Sequence, residues 1–230
     1  MLQEVKGRFL VSLLVLGWFF GVMEGPCALL LADDFGTWNG IYIRMLNTEH
    51  VDLVTLSQAR LYDESSELHQ YFISQRLVYD AHPNLQTGVN YTHLSIRSDN
   101  QFDFTGQHRM ELVLTPRWDA TEKLKLELRN WLELRWIDRL PGPRLRSRHR
   151  LGMRYKLSGM GRLTALYAHN EFFFDYHAHQ WNQNRFVPIG LRFRLTDKTG
   201  LSVHYMMQSN LRSHQWKNTH LLGTTISILF

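Results

Sequence analysis

Residues 124–136 constrain the fold more than any other stretch. Leu124, Leu126, Leu128, Asn130, Leu132, Leu134 and Trp136 occupy the even positions, and Lys125, Glu127, Arg129, Trp131, Glu133 and Arg135 the odd ones. A helix turning about 100° per residue would scatter those leucines around its axis, whereas a strand collects them on one face. The segment is therefore a strand with one apolar and one charged side. Such a strand either lines a soluble core or faces lipid around a closed barrel. Turning it over in a membrane would place five charges in hydrocarbon, at roughly 2–4 kcal/mol for each basic residue near the midplane. In a barrel the leucines face lipid, and the charges face the lumen or one another.

The N-terminus supports export. Lys6 and Arg8 precede an apolar run, Phe9–Met23, that Glu24-Gly-Pro26 ends. The run is short for a membrane span and has the layout of a secretory signal peptide, with cleavage expected after Ala32; an uncleaved anchor is the other reading. The expected division is a signal peptide over 1–32 and a barrel domain over 33–230. The chain's one cysteine, Cys27, falls in the leader, so the mature protein is expected to have no disulfide and no thiolate metal site. The formal charge of +5 belongs to the mature part, because the leader loses two basic and two acidic groups. Export argues against nucleic acid as the partner of that charge. Mean hydropathy is −0.30, which excludes a polytopic helical membrane protein.

Alternation recurs along the chain. Candidate strands are 35–46, 51–61, 68–79, 85–96, 102–118, 124–136, 145–157, 162–174, 184–195, 201–207 and 222–230. The connections near Asp80, Asp119, Ser158 and Asp197 read as short; those near Glu64, Asp99, Pro141, His177 and Ser213 read as longer, with 208–219 a loop. Short turns on one rim and long loops on the other is outer-membrane wiring. Eleven candidates conflict with the even strand number usual in bacterial barrels, so segment 36–46 is expected to lie in the lumen or to have an unseen partner that makes twelve. In Asn184–Leu195, Arg185 has the opposite parity to Arg192 and Arg194. A bulge at Pro188 would turn all three to one side. Ile226, Ile228 and Phe230 form an alternating end that resembles an assembly signal for outer-membrane barrels.

Arg144, Arg146, Arg148, Arg150 and Arg154 suggest a phosphate-binding patch at first sight. Their period of two instead places them on one strand face beside Glu127 and Glu133, where pairing is the expectation. Asp175, His177 and His179 offer a weak metal pattern, which solvated loop histidines explain as well. No serine–histidine spacing singles out a nucleophile, since such triads assemble in space. Phe172, Phe173, Phe174, Tyr176 and Trp181 suit an interfacial girdle.

Four segments together resemble a bacterial family: 124–136, Arg148-His-Arg-Leu-Gly-Met-Arg-Tyr155, Asn170-Glu-Phe-Phe173 and Asn184-Arg-Phe-Val-Pro-Ile-Gly-Leu191. The family is domain of unknown function 2490, expected to be outer-membrane barrels. The resemblance implies that Arg129, Glu133, Arg135, Arg150, Glu171, Asn184 and Arg185 are its recurring polar positions; His204-Tyr205 stands where a Gly-Tyr pair is expected. It supplies no chemistry. The expectation is an all-β, closed up-and-down transmembrane barrel of about ten to twelve strands in the bacterial outer membrane. Its lumen network would comprise Arg129, Glu133, Arg135, Arg148, Arg150, Glu171 and Arg185. Expected partners are outer-membrane lipids, lipopolysaccharide and the barrel assembly machinery, with no cofactor, no metal and no nucleic acid. The functional expectation is a structural or narrow-pore barrel; the alternative is a lipid-modifying hydrolase acting on lipid A or phospholipid at the outer rim.

Overall fold

Alternating sequence becomes a single closed sheet in the computed structural model, which describes residues 34–97 and 103–230. The strands are β1 (Asp34–Asn47), β2 (Val51–Tyr62), β3 (Glu67–His82), β4 (Leu85–Arg97), β5 (Phe104–Asp119), β6 (Leu124–Ile137), β7 (Arg144–Lys156), β8 (Leu163–Asp175), β9 (Gln180–Arg194), β10 (Thr199–Arg212) and β11 (Gln215–Leu229). Each pairs antiparallel with the next, and β1 closes on β11. The expected signal peptide, its cleavage at Ala32 and Cys27 lie outside the described residues.

Closure corrects three expectations. The barrel has 11 strands, so its last strand runs in the same direction as its first and the seam has to be parallel. Asp34 pairs with Thr219 and Arg44 with Leu229 along that seam, which makes the barrel a meander with one parallel joint. Segment 36–46 is therefore a wall strand, not a lumen plug and not half of a missing hairpin. The 208–219 region is not a loop: β10 and β11 pair as far as Arg212 with Gln215, joined by Ser213-His214. Both of those residues have positive φ, the backbone a two-residue hairpin turn demands. Connection lengths also fail to separate the rims, because Leu157–Arg162 is long on the supposedly short side. An odd strand count further puts Asp34 and Phe230 on opposite rims.

Side-chain direction follows the alternation. On the outer wall Ile73, Leu77, Leu112, Leu114, Leu132, Ile189 and Ile226 remain exposed, whereas the inward Leu94, Glu133, Phe173 and Leu221 are completely buried. Asn130 pairs with His149 and Glu133 with Arg146, so the β6 leucine face continues outward and its charged face inward across the β7 joint. On β9, register shifts against both neighbours bracket Val187–Ile189. This irregularity at Pro188 turns Arg185 and Arg192 toward the lumen despite their unlike parity.

Two inward glycines let rings lie against the wall. Gly190 sits opposite Tyr167 and Gly223 opposite His204, and a side chain at either glycine would run into that ring. The Tyr167 hydroxyl and His204 Nδ1 are 3.2 Å apart, tying the rings together across β9. Gly223→Val should overpack this layer at a cost of about 1–3 kcal/mol, read as a lower melting temperature of the folded protein. Deleting Phe230, whose N–H meets the Arg44 carbonyl at 3.3 Å across the seam, should lower the folded fraction during assembly. Unchanged assembly would remove the terminal residue from the closing mechanism.

Candidate functional site

The lumen network is built on β6, β7 and β8, whose inward residues carry opposite charges in facing positions. Glu133 lies directly across from Arg146, and Arg150 from Glu171. Glu133 is fully buried and accepts from two guanidiniums, at 2.6 Å from Arg146 Nη2 and 2.7 Å from Arg148 Nη1. Arg148 reaches on to Glu171 at 2.9 Å, and Arg185 approaches the other Glu171 oxygen at 3.9 Å. The result is a chain of alternating charge, Arg146–Glu133–Arg148–Glu171–Arg185, running across the bore. Aromatic faces hold it in place. The Arg148 guanidinium lies 3.6 Å from the Trp131 centroid and 4.9 Å from that of Phe173. Arg185 lies 4.6 Å from Phe173 and 4.9 Å from Trp38. Stacking and paired hydrogen bonds together suit arginine, not lysine.

The other expected residues fall in two satellite groups. Arg150 and Arg129 share Glu127, at 2.6 and 3.7 Å. Arg135 pairs with Asp175 at 3.0 Å toward the rim. Asp175 also accepts the backbone N–H groups of His177 and Ala178, so its oxygens are engaged in the turn and the ion pair. Among the described residues no His, Cys, Asp or Glu cluster could hold a metal ion. Asn184 does not join the lumen: it faces outward and donates to Asn170 Oδ1 at 2.7 Å.

The sequence reading missed part of the interior. Arg60, Arg76 and Arg109 also point inward. Arg60 is hydrogen-bonded to Gln58 and Gln70, Arg76 to Ser74 and Arg109 to Gln107. Their side-chain hydrogen bonds run to neutral groups, and the buried Glu111 in the same lining accepts from Asn90 at 2.9 Å; the arginines here outnumber that acid, which leaves the bore positive. Two cavities of about 710 and 690 Å³ open toward opposite rims. Both are lined by Gln58, Arg76, Arg129, Trp131, Arg150, His169 and His204, which form the waist between them.

A second polar group, also missed, lies on the outer wall. Asn130 interrupts the leucines of β6, and Ser147 and His149 occupy the outward face of β7. His149 Nδ1 is 2.8 Å from Asn130 Oδ1, and His149 Nε2 is 3.2 Å from Ser147 Oγ. The available signal was an asparagine within a leucine face, beside a Ser-Arg-His step of the same parity.

No curated protein and no solved structure matches this chain. A family model does, over residues 35–219, which takes in nearly the whole barrel and both polar groups. The chain belongs to the family described as Protein of unknown function (DUF2490).

Proposed function

We propose that this protein spans the bacterial outer membrane as a barrel whose bore is narrowed by its ion-paired lumen network, and that this interior is structural or a narrow path for small anions. The observation that carries the placement is the outer wall. Leu112 is 55 %, Ile189 52 % and Leu77 51 % exposed, and a continuous apolar surface of this kind is not left to water. Strands of 12 to 16 residues exceed the roughly 9–11 that a tilted transmembrane strand needs. Aromatic rings near the Tyr176 turn supply an interfacial girdle: Phe174 packs on Tyr176 at 5.1 Å and on Trp181 at 5.3 Å. With Phe230 on the periplasmic side, the turns Asp63–Ser66, Asp138–Pro143 and Tyr176–His179 mark the outer rim.

The ion-paired lumen network supports the structural reading. Two arginines clamp Glu133, and Trp131 and Phe173 fill the space beside them, so opening a wide channel would require separating buried charges. Arg60, Arg76 and Arg109 outnumber the buried Glu111 that lines the bore with them, so any residual conduction favours anions.

Heat-modifiable migration in the outer-membrane fraction tests the placement; a soluble periplasmic protein that migrates identically with and without boiling would overturn it. Glu133→Gln leaves Arg146 and Arg148 short of a counter-charge, and breaking such a buried pair costs roughly 3–5 kcal/mol. The variant should melt at lower temperature and show larger or more anion-selective conductance in planar bilayers. Lys125→Gln should be nearly silent in both assays: its 3.1 Å pair with Asp119 is more than half exposed on each side, and exposed pairs contribute about 0–1 kcal/mol.

A further inference from the structure

We propose that Ser147, His149 and Asn130 form a lipid-facing catalytic triad that hydrolyses the ester bond of a long-chain fatty acid. The atoms stand in the required order. Asn130 Oδ1, at 2.8 Å, accepts the Nδ1–H of His149 and so leaves Nε2 unprotonated, and that nitrogen lies 3.2 Å from the Ser147 hydroxyl it has to deprotonate. The Asn130 amide nitrogen faces the Leu128 carbonyl at 3.5 Å, which sets the side-chain oxygen toward the ring. Polar side chains on a lipid wall are costly, and leucine is what the neighbouring positions Leu128, Leu132 and Leu151 carry. Mutual hydrogen bonding alone would explain a pair; a serine, a ring and an amide in this sequence of bonds is a charge-positioning device.

Depth fits the substrate. Ser147 is three residues into β7 from Arg144, roughly 10 Å along the strand from the outer rim. That is the boundary where lipid ester groups and water meet, well short of the bilayer midplane. The girdle surrounds it: the Trp181 ring lies 6.0 Å from that of His149 and 6.3 Å from Phe172. A shallow groove of about 560 Å³ runs from Ser147 and His149 over Leu132, Leu112 and Leu114 to Leu77. An acyl chain lying in it would bring its carbonyl to the serine.

The chemistry balances with water as co-reactant. Ser147 Oγ adds to the ester carbonyl while His149 Nε2 takes its proton. The bond from carbonyl carbon to alcohol oxygen then breaks, and His149 returns the proton to the departing alkoxide. Water, deprotonated by the same nitrogen, attacks the acyl-serine; the carbon–Oγ bond breaks, releasing the fatty acid and restoring Ser147. Asn130 is a positioning residue. This chemistry rests on the membrane placement proposed above for access to substrate, but the three side chains can be tested in detergent without it.

The folded full barrel, checked by heat modifiability, would be assayed for fatty-acid release from phosphatidylglycerol micelles and, in a second arm, from purified lipopolysaccharide. Release in either arm supports the triad and identifies the lipid. Ser147→Ala and His149→Ala should each lower it by about three orders of magnitude or more. Asn130→Ala should lower it by a factor of about 10²–10⁴, and Asn130→Asp, which holds the same tautomer, should restore most of it. A fluorophosphonate probe should label Ser147 in the parent and not in His149→Ala. Thr55→Ala removes a different outer-wall hydroxyl, bonded to Gln75 at 2.9 Å, and should change nothing. Folded parent protein that releases no fatty acid in either arm and takes no probe overturns the triad, as does full activity in Ser147→Ala. Activity in micelles by a protein absent from the outer membrane would instead overturn only the placement.

Discussion

A buried charge without a counter-charge is expensive, and the rest of the barrel depends on avoiding that cost. Once β6 turns its leucines outward, Glu127, Arg129, Glu133 and Arg135 have to be accommodated inside, in a space too narrow to hydrate each of them fully. Glu133 between Arg146 and Arg148 is the solution at the most enclosed point. The same charge that forbids the strand from reversing thus pins it to its neighbours. Removing one member costs more than the pair contributes, because its partners stay buried without it.

That internal packing sets a layer of paired charge and aromatic surface across the interior. Trp131 and Phe173 back the charged chain with rigid aromatic surface. A barrel filled in this way presents a firm outer face. Firmness is what a constellation on a strand needs: Asn130 and His149 face each other directly across the β6–β7 ladder, and Ser147 shares the His149 face two residues away. Strand geometry holds these side chains better than a loop would.

The parallel seam has its own consequence. Parallel ladders are slightly weaker per residue than antiparallel ones, and here the seam joins the two ends of the chain. Leu221, buried against Trp38, Val187 and Met206, provides an apolar anchor across it. Gly36 leaves room there for Leu221 and the Tyr62 ring.

Sequence alone determined most of the strands, their facing and the inward charges, because the period of two is a local property and an inward charge needs a partner that an outward leucine does not. The bulge at Pro188 was legible for the same reason, since three arginines of mixed parity need one. The family resemblance rested on the same inward residues. What only the tertiary structure decided was closure and partnership. The strand count, the parallel joint at 34–44 and the hairpin at Ser213-His214 follow from how the sheet meets itself, which no local pattern records. Which carboxylate each arginine meets depends on register between strands. The outer-wall group stayed hidden for the same physical reason: Asn130 is 17 residues before Ser147 in the chain, and only the pairing of β6 with β7 sets their side chains around one histidine.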